Sequence, residues 1–302
     1  MTIALTGGTG FVGQALIEQA RAQGVVVQAL ARKPQERRNG VDWIAGDLGD
    51  RKALAKLVDG TEAVIHVAGL THAQNPAAFE EANVAGTLAV IEAAHAAGVQ
   101  RLIFVSSLSA REPGLSAYGA SKARAERVVK ASGLDWTIVR PPTVYGPRDK
   151  DVFELFRSAK WGVIPTPKEG RSSLIHVEDL ARLLLALMPG GEGVSHMNFE
   201  PDDGKRGGWS HYELARMIGW SVGRRPKVIG LSKRTMQWAA KADAMLRGAK
   251  AKLTLDRVGY MTHPDWVVSL GARVPAALWR PRVETREGMK ATAQWYRAEG
   301  WL

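Results

Sequence analysis

Tyr118 and Lys122 stand four residues apart in Tyr118-Gly119-Ala120-Ser121-Lys122, and Ser106-Ser107 come shortly before, Ser107 lying 11 positions ahead of the tyrosine. If this stretch is helical, positions i and i+4 share a face about 6 Å apart along the axis. An ammonium beside a phenol stabilises the phenolate and draws the tyrosine down from its usual pKa of about 10. A serine hydroxyl close by can hydrogen-bond the oxygen of a substrate. That set can move a proton on and off a carbonyl or alcohol. Ser107 is the reading for the serine, and Ser106 is the alternative that the sequence leaves open. A Tyr and a Lys at this spacing also arise by chance on amphipathic helices, so the elements that hold them decide the matter.

Those elements begin at the N-terminus. A short apolar run, 3–5, leads into Thr6-Gly7-Gly8-Thr9-Gly10-Phe11-Val12-Gly13 and then into 11–22, where apolar residues recur at helical spacing. Strand, glycine turn and helix in this order make a cradle for a pyrophosphate at a helix N-terminus. Strands are expected at 25–30, 41–45, 62–67 and 101–105, with helices from Asp50 to about Val58, over 76–97 and after Ser116. Alternating strands and helices give an α/β fold with a doubly wound parallel sheet, whose ligands bind beyond the carboxyl ends of the strands. Ser106-Ser107 ends one such strand. A hydride carrier at the glycine turn would complete the chemistry. No Asp or Glu lies at 29–32 to hold a ribose 2′-hydroxyl, while Arg32, Arg37 and Arg38 lie nearby. An arginine pairs with a 2′-phosphate, so NADP is the expected cofactor and NAD the alternative.

The chain has 302 residues, 45% hydrophobic and 24% charged, enough for one large domain or two. It has no cysteine, which excludes disulfides and thiolate chemistry and fits a reducing compartment. No apolar run approaches the roughly 18–20 residues that span a bilayer, and no leader precedes the first strand, so a cytoplasmic location is expected. The net charge of +11 is uneven: residues 1–200 hold 22 Lys/Arg against 21 Asp/Glu, and residues 201–302 hold 19 against 9. Seven of the ten tryptophans also follow residue 200. A basic, Trp-rich region can meet an anionic substrate, an acidic lipid surface or nucleic acid, or be a solvated face. No nucleic-acid recognition motif accompanies the charge, and no nucleic-acid partner is expected. Residues 231–250 read as a basic amphipathic helix with Met236, Trp238, Met245 and Leu246, suited to a lid, an interfacial helix or packing on the core. The seven histidines lack metal-ligand spacing, so no metal is expected.

In this order, the glycine turn, Gly46-Asp47-Leu48, His66-Val67-Ala68-Gly69, the Asn83 segment, Ser106-Ser107 and Tyr118 to Lys122 resemble an extended short-chain dehydrogenase/reductase of the NAD-dependent epimerase/dehydratase type. Val139-Arg140-Pro141-Pro142-Thr143-Val144-Tyr145-Gly146-Pro147, His176-Val177-Glu178-Asp179-Leu180-Ala181 and the closing helix near Trp295 extend the resemblance over nearly the whole chain, more loosely after about residue 190. It implies a Rossmann-type dinucleotide-binding domain over 1–190, with 143–170 contributing to the substrate cleft. A smaller basic, Trp-rich substrate-binding region would follow over 191–302. Tyr118 would be the general acid/base, Lys122 its activator and ribose ligand, and Ser107 the carbonyl polariser. Thr6, Gly7, Gly10, Phe11, Val12, Gly13 and Arg32 would hold the cofactor, with Asp47 and Leu48 flanking the adenine. Val67, Ala68, Gly69 and Ser106 would also face the cofactor, and Pro141, Thr143 and Val144 its carboxamide side. His66 reads as a core residue at a strand end and Asn83 as a residue that bends its helix.

Two departures narrow the chemistry. The segment between Ser107 and Tyr118 is shorter than in sugar-nucleotide epimerases, and it lacks the adjacent acidic pair of the dehydratases. Reduction of a ketone or aldehyde asks least of this sequence, nucleotide-sugar epimerisation is the alternative, and dehydration is not expected. A non-catalytic NAD(P)H-binding regulatory or accessory protein is the contrasting class, against which the presence of both Tyr118 and Lys122 argues. The expected partner is a small molecule. The oligomeric state is open, a homodimer being one option.

Overall fold

The computed structural model describes residues 1–73, 75–248, 251 and 253–302, which fall into two compact units. The first comprises Met1–Pro141, Glu178–Pro201 and Ala272–Arg280. Its elements are β1 (Thr2–Thr6), α1 (Phe11–Ala22), β2 (Val26–Ala31), β3 (Val41–Ala45), α2 (Arg51–Val58) and β4 (Ala63–His66). There follow α3 (Pro76–Phe79), a π-helical stretch Glu80–Ala85, α4 (Gly86–Ala96), β5 (Arg101–Val105), α5 (Ala117–Lys130) and β6 (Asp135–Val139). The strand Met197–Phe199 joins the far edge, and the seven-stranded order is Met197–Phe199, β6, β5, β4, β1, β2, β3. Every pairing in this sheet is parallel, with Ile3 opposite Val27 on one side of β1 and Ala63 on the other. This is the expected doubly wound α/β fold. The strand order reverses between β1 and β4, so the loops that follow these two strands flank the switch point where such sheets bind ligands.

Burial on both faces explains why the strands read as apolar runs rather than alternating ones. Ala4, Val64, Leu102, Phe104 and Ile138 point to one face, against Leu54 and Leu57 of α2, Val90 and Ile91 of α4, and Ala125 and Val129 of α5. Ile3, Leu5, Val27, Ile65 and Ile103 alternate with them and are also fully buried. Asp50 caps α2 by accepting from Lys52 N and Ala53 N, and Ser116 caps α5 through Gly119 N.

The second unit comprises Pro142–Val177, Asp202–Gly271 and Pro281–Leu302. Its strands are short: Thr143–Tyr145 pairs with Leu174–His176, Val163–Pro167 with Lys227–Leu231, and Arg171–Ser172 with Trp209–Ser210 and Asp265–Trp266. Tyr145, Phe156, Met289 and Tyr296 are fully buried in its core. The expected helix over 231–250 is realised as Lys233–Arg247 with Ser232 as its cap, while residues 249 and 250 lie outside the described residues.

Candidate active site

The turn after β1 is built around two glycines whose side chains must be hydrogen. Gly7 sits at φ +76°, and a Cβ there would lie 2.7 Å from Ala68 N. A Cβ on Gly13 would stand 2.1 Å from the carbonyl oxygen of Gly7, which also accepts from Gly10 N at 3.0 Å. The first turn of α1 is thereby pressed onto the loop, leaving backbone room for a pyrophosphate at the helix N-terminus. Phe11 and Val12 open the helix half-buried, and Gly10 is exposed.

A directed chain of hydrogen bonds supports this turn from below. Ala68 N donates to Thr6 Oγ1 (3.2 Å), and Thr6 Oγ1 lies 2.5 Å from His66 Nδ1. His66 Nε2 lies 3.0 Å from Thr87 Oγ1, which donates its proton to Asn83 O at 2.6 Å. Thr87 therefore accepts from His66, so the hydrogen-bond network assigns the histidine proton to Nε2, with Thr6 donating to Nδ1. A second proton, on Nδ1, would force the Thr6 hydroxyl to turn its own proton away. Burial, and the charge of Lys122 beyond it, push the His66 pKa down to about 3. Thr6 and His66 thus brace the loop Val67-Ala68-Gly69 instead of facing outward.

That arrangement has a consequence for pH. The unfolded chain takes up a proton at His66 near pH 6.5, which the folded chain refuses until about pH 3, so stability falls as pH falls through this window. Urea unfolding of wild type and His66→Asn between these limits checks it. The wild type should lose stability more steeply, and parallel curves would rule His66 out as the cause.

Asn83 ties three segments together from the π-helical stretch. Its carboxamide accepts from Leu70 N (2.7 Å) and donates to Leu70 O (3.0 Å) and Ser121 Oγ (2.9 Å). Ser121 in turn donates to the carbonyl of Tyr118 at 2.7 Å. The expected bending residue is therefore a clamp between the loop after β4 and α5.

Lys122 is buried, and its ammonium donates to Val105 O at 2.8 Å, 4.4 Å from the Phe104 ring centroid. It also lies 3.7 Å from where a Cβ on Gly69 would stand. Desolvation lowers its pKa to about 8, and Glu126, one turn further along α5, works in the opposite direction. Tyr118 is half-buried, its ring 6.0 Å from Phe79. The residue after Val105 is Ser106, so Lys122 fixes α5 directly beside the two serines.

The serines differ. Ser106 is 5% exposed and donates to Glu126 Oε1 at 2.6 Å. Ser107 is half-buried, and its hydroxyl shares a 2.7 Å hydrogen bond with Ser109 and accepts from Ser109 N. A Cβ on Gly119 would lie 2.6 Å from Ser109 O, so this turn abuts the first turn of α5. Glu126 also receives both ends of the Arg140 guanidinium, at 2.8 and 2.6 Å. Arg140 reaches Glu200 at 3.5 Å, and Glu200 reaches Arg111 at 3.6 Å. The sequence reading missed this ion network, though the four-residue spacing Tyr118, Lys122, Glu126 signalled its central member.

The other expected cofactor residues are dispersed. Arg32 is exposed after β2, and Arg38 reaches back to Gln14 on α1 at 2.7 Å. Asp47 caps a turn through Gly49 N, and Leu48 packs on the α2–α4 cluster. Pro141, the last residue of the first segment of the first unit, accepts from Leu108 N. Thr143 and Val144 belong to the second unit, where Val144 pairs with Ile175 and the Thr143 hydroxyl lies 3.3 Å from that of Ser172. Among the described residues no His, Cys, Asp and Glu are grouped as a metal site would need.

Residues 3–198 match the model of the NAD dependent epimerase/dehydratase family. Ceramide reductase of Caulobacter vibrioides is 37% identical over 310 residues, covering 99% of this chain and 96% of that protein. UDP-glucose 4-epimerase of Vibrio cholerae is 27% identical, covering 97% and 94%. Among solved structures, MoeE5 in complex with UDP-glucuronic acid and NAD superposes with a TM-score of 0.75 at 23% identity, covering 99% of both chains, a likeness of fold.

Proposed function

Because the chain belongs to the NAD dependent epimerase/dehydratase family of extended, NAD(P)-binding short-chain dehydrogenase/reductases, we propose that it reduces a ketone on a ceramide-like lipid with NADPH. The observation that carries this reading is the pairing of a buried Lys122 ammonium with the strand end that presents Ser107, joined to full-length similarity to a ceramide reductase. The glycine cradle fits a dinucleotide, since a Cβ at Gly7 or Gly13 would fill the space its backbone needs. The cofactor would lie along Gly7, Gly10 and Gly13, with Val67 to Gly69 beside it, and when bound it supplies the hydride.

The side chains of this protein do the rest. Tyr118 gives its hydroxyl proton to the carbonyl oxygen as the alkoxide forms. Lys122, cationic below about pH 8, stabilises the phenolate left behind. Ser107 donates a hydrogen bond to the same oxygen and polarises the carbonyl beforehand. Ser106, engaged by Glu126, holds the end of β5 in place. Arg32 and Arg38 favour the 2′-phosphate of NADPH.

The test is a substrate panel with both reduced cofactors, followed by nicotinamide absorbance. Turnover of an N-acylated amino ketone, with Arg32→Ala narrowing the preference for NADPH, is the expected result. Conversion of UDP-sugars without net cofactor oxidation would favour epimerisation and overturn this reading.

A further inference from the structure

The helix Lys233–Arg247 of the second unit is buried along one line only. Met236 and Ala240 are 4% and 1% exposed, packed with Val258 and edged by Leu231, Leu253 and Met261. Arg234, Trp238, Lys241 and Met245 recur at i, i+4, i+7 and i+11 and form the opposite stripe. Trp238 is 73% exposed, Met245 87% and the adjacent Leu246 84%, while Lys241 lies 5.6 Å from the Trp238 ring centroid. Three large apolar side chains on one open helix face are more than scattered surface hydrophobics.

The charges say what kind of surface covers them. The helix carries Lys233, Arg234, Lys241 and Arg247, and its one acid, Asp243, is paired with Arg247 at 3.2 Å. The open stripe thus has two cations and no anion, within a region of 19 basic against 9 acidic residues. A second copy docked on this stripe by a two-fold axis would set like charges against each other. Nucleic acid would meet the cations but leave Met245 and Leu246 in water. An anionic bilayer accepts both: the apolar chains enter the headgroup boundary, and the long basic stems keep their charges among the phosphates. No described helix is long and apolar enough to cross a membrane, so the contact is a surface one. We propose that the open face of Lys233–Arg247 docks this protein onto membranes rich in anionic lipid. This goes beyond the proposed reductase activity and is tested without substrate or cofactor.

Co-sedimentation with phosphatidylcholine vesicles, with and without phosphatidylglycerol, is the experiment. Wild type should bind the anionic vesicles and release them as salt is raised. Arg234→Gln with Lys241→Gln should weaken binding about thirty-fold, at about 1 kcal/mol per cation. Trp238→Ser with Met245→Ser and Leu246→Ser should abolish binding. Because these side chains are exposed, the urea unfolding midpoint should stay at the wild-type value in both variants. No binding by wild type, equal binding by the triple variant, or dimers that the triple variant alone dissolves would each overturn the proposal.

Discussion

Tyr118→Phe should lower kcat by about 10²–10⁴-fold while leaving cofactor affinity nearly unchanged. The substitution removes only the phenolic oxygen, and the ring keeps its packing against Phe79 and its place on α5, which is set by backbone contacts through Ser121. Wild-type kcat/KM should also fall as pH rises through about 8, where the buried Lys122 gives up its proton and the phenolate loses its stabilising charge. Steady-state kinetics across pH, with cofactor binding measured separately, checks both statements. Full turnover by the phenylalanine variant would remove Tyr118 from the chemistry and return the binding-protein class to the front.

Glu126→Ala should cost about 1.5–3 kcal/mol of stability, the range for losing hydrogen bonds to a charged group, because the partly exposed Arg140 keeps only its longer contact with Glu200. Three groups lose their acceptor at once: both ends of the Arg140 guanidinium and the Ser106 hydroxyl. The pairing with Glu126 raises the Arg140 pKa, so the arginine stays charged and cannot escape the penalty by losing its proton. The carboxylate also supports the Lys122 ammonium, and its removal should carry the alkaline limb of the pH profile to lower pH. Denaturant unfolding reads the first effect and kinetics the second. Glu126→Gln, which keeps an acceptor for Ser106, should retain more stability but show the same shift of the limb. A Glu126→Ala protein of wild-type stability would show the network to be energetically idle.

The residues proposed for the chemistry can be picked out in the sequence because their spacing survives any uncertainty about element ends. Tyr118, Lys122 and the glycine turn depend on i+4 and i+3 relations, and parallel strands buried on both faces announce themselves as apolar runs. Contacts between distant segments were hidden. Nothing local links Glu126 to Arg140 and Glu200, or Asn83 to Leu70 and Ser121. The engagement of Ser106 by Glu126, 20 residues along the chain, could not be read locally either. In the second unit, strands such as Arg171–Ser172 and Trp209–Ser210 are too short to display a period of two. His66 read correctly as a core residue, but its tautomer needed its neighbours.

The first unit is not continuous along the chain. It breaks off at Pro141, resumes at Glu178, and takes its last piece from Ala272–Arg280. During synthesis, the glycine turn and the Tyr118 helix leave the ribosome well before Met197–Phe199, the strand that covers the free edge of β6. Domains tend to form as units as they emerge, N-terminal first. Here a nascent sheet must wait, one parallel edge open, until about two-thirds of the protein exists. A chaperone that shields strand edges would therefore find its target in the half-made chain, with β6 as the surface to guard.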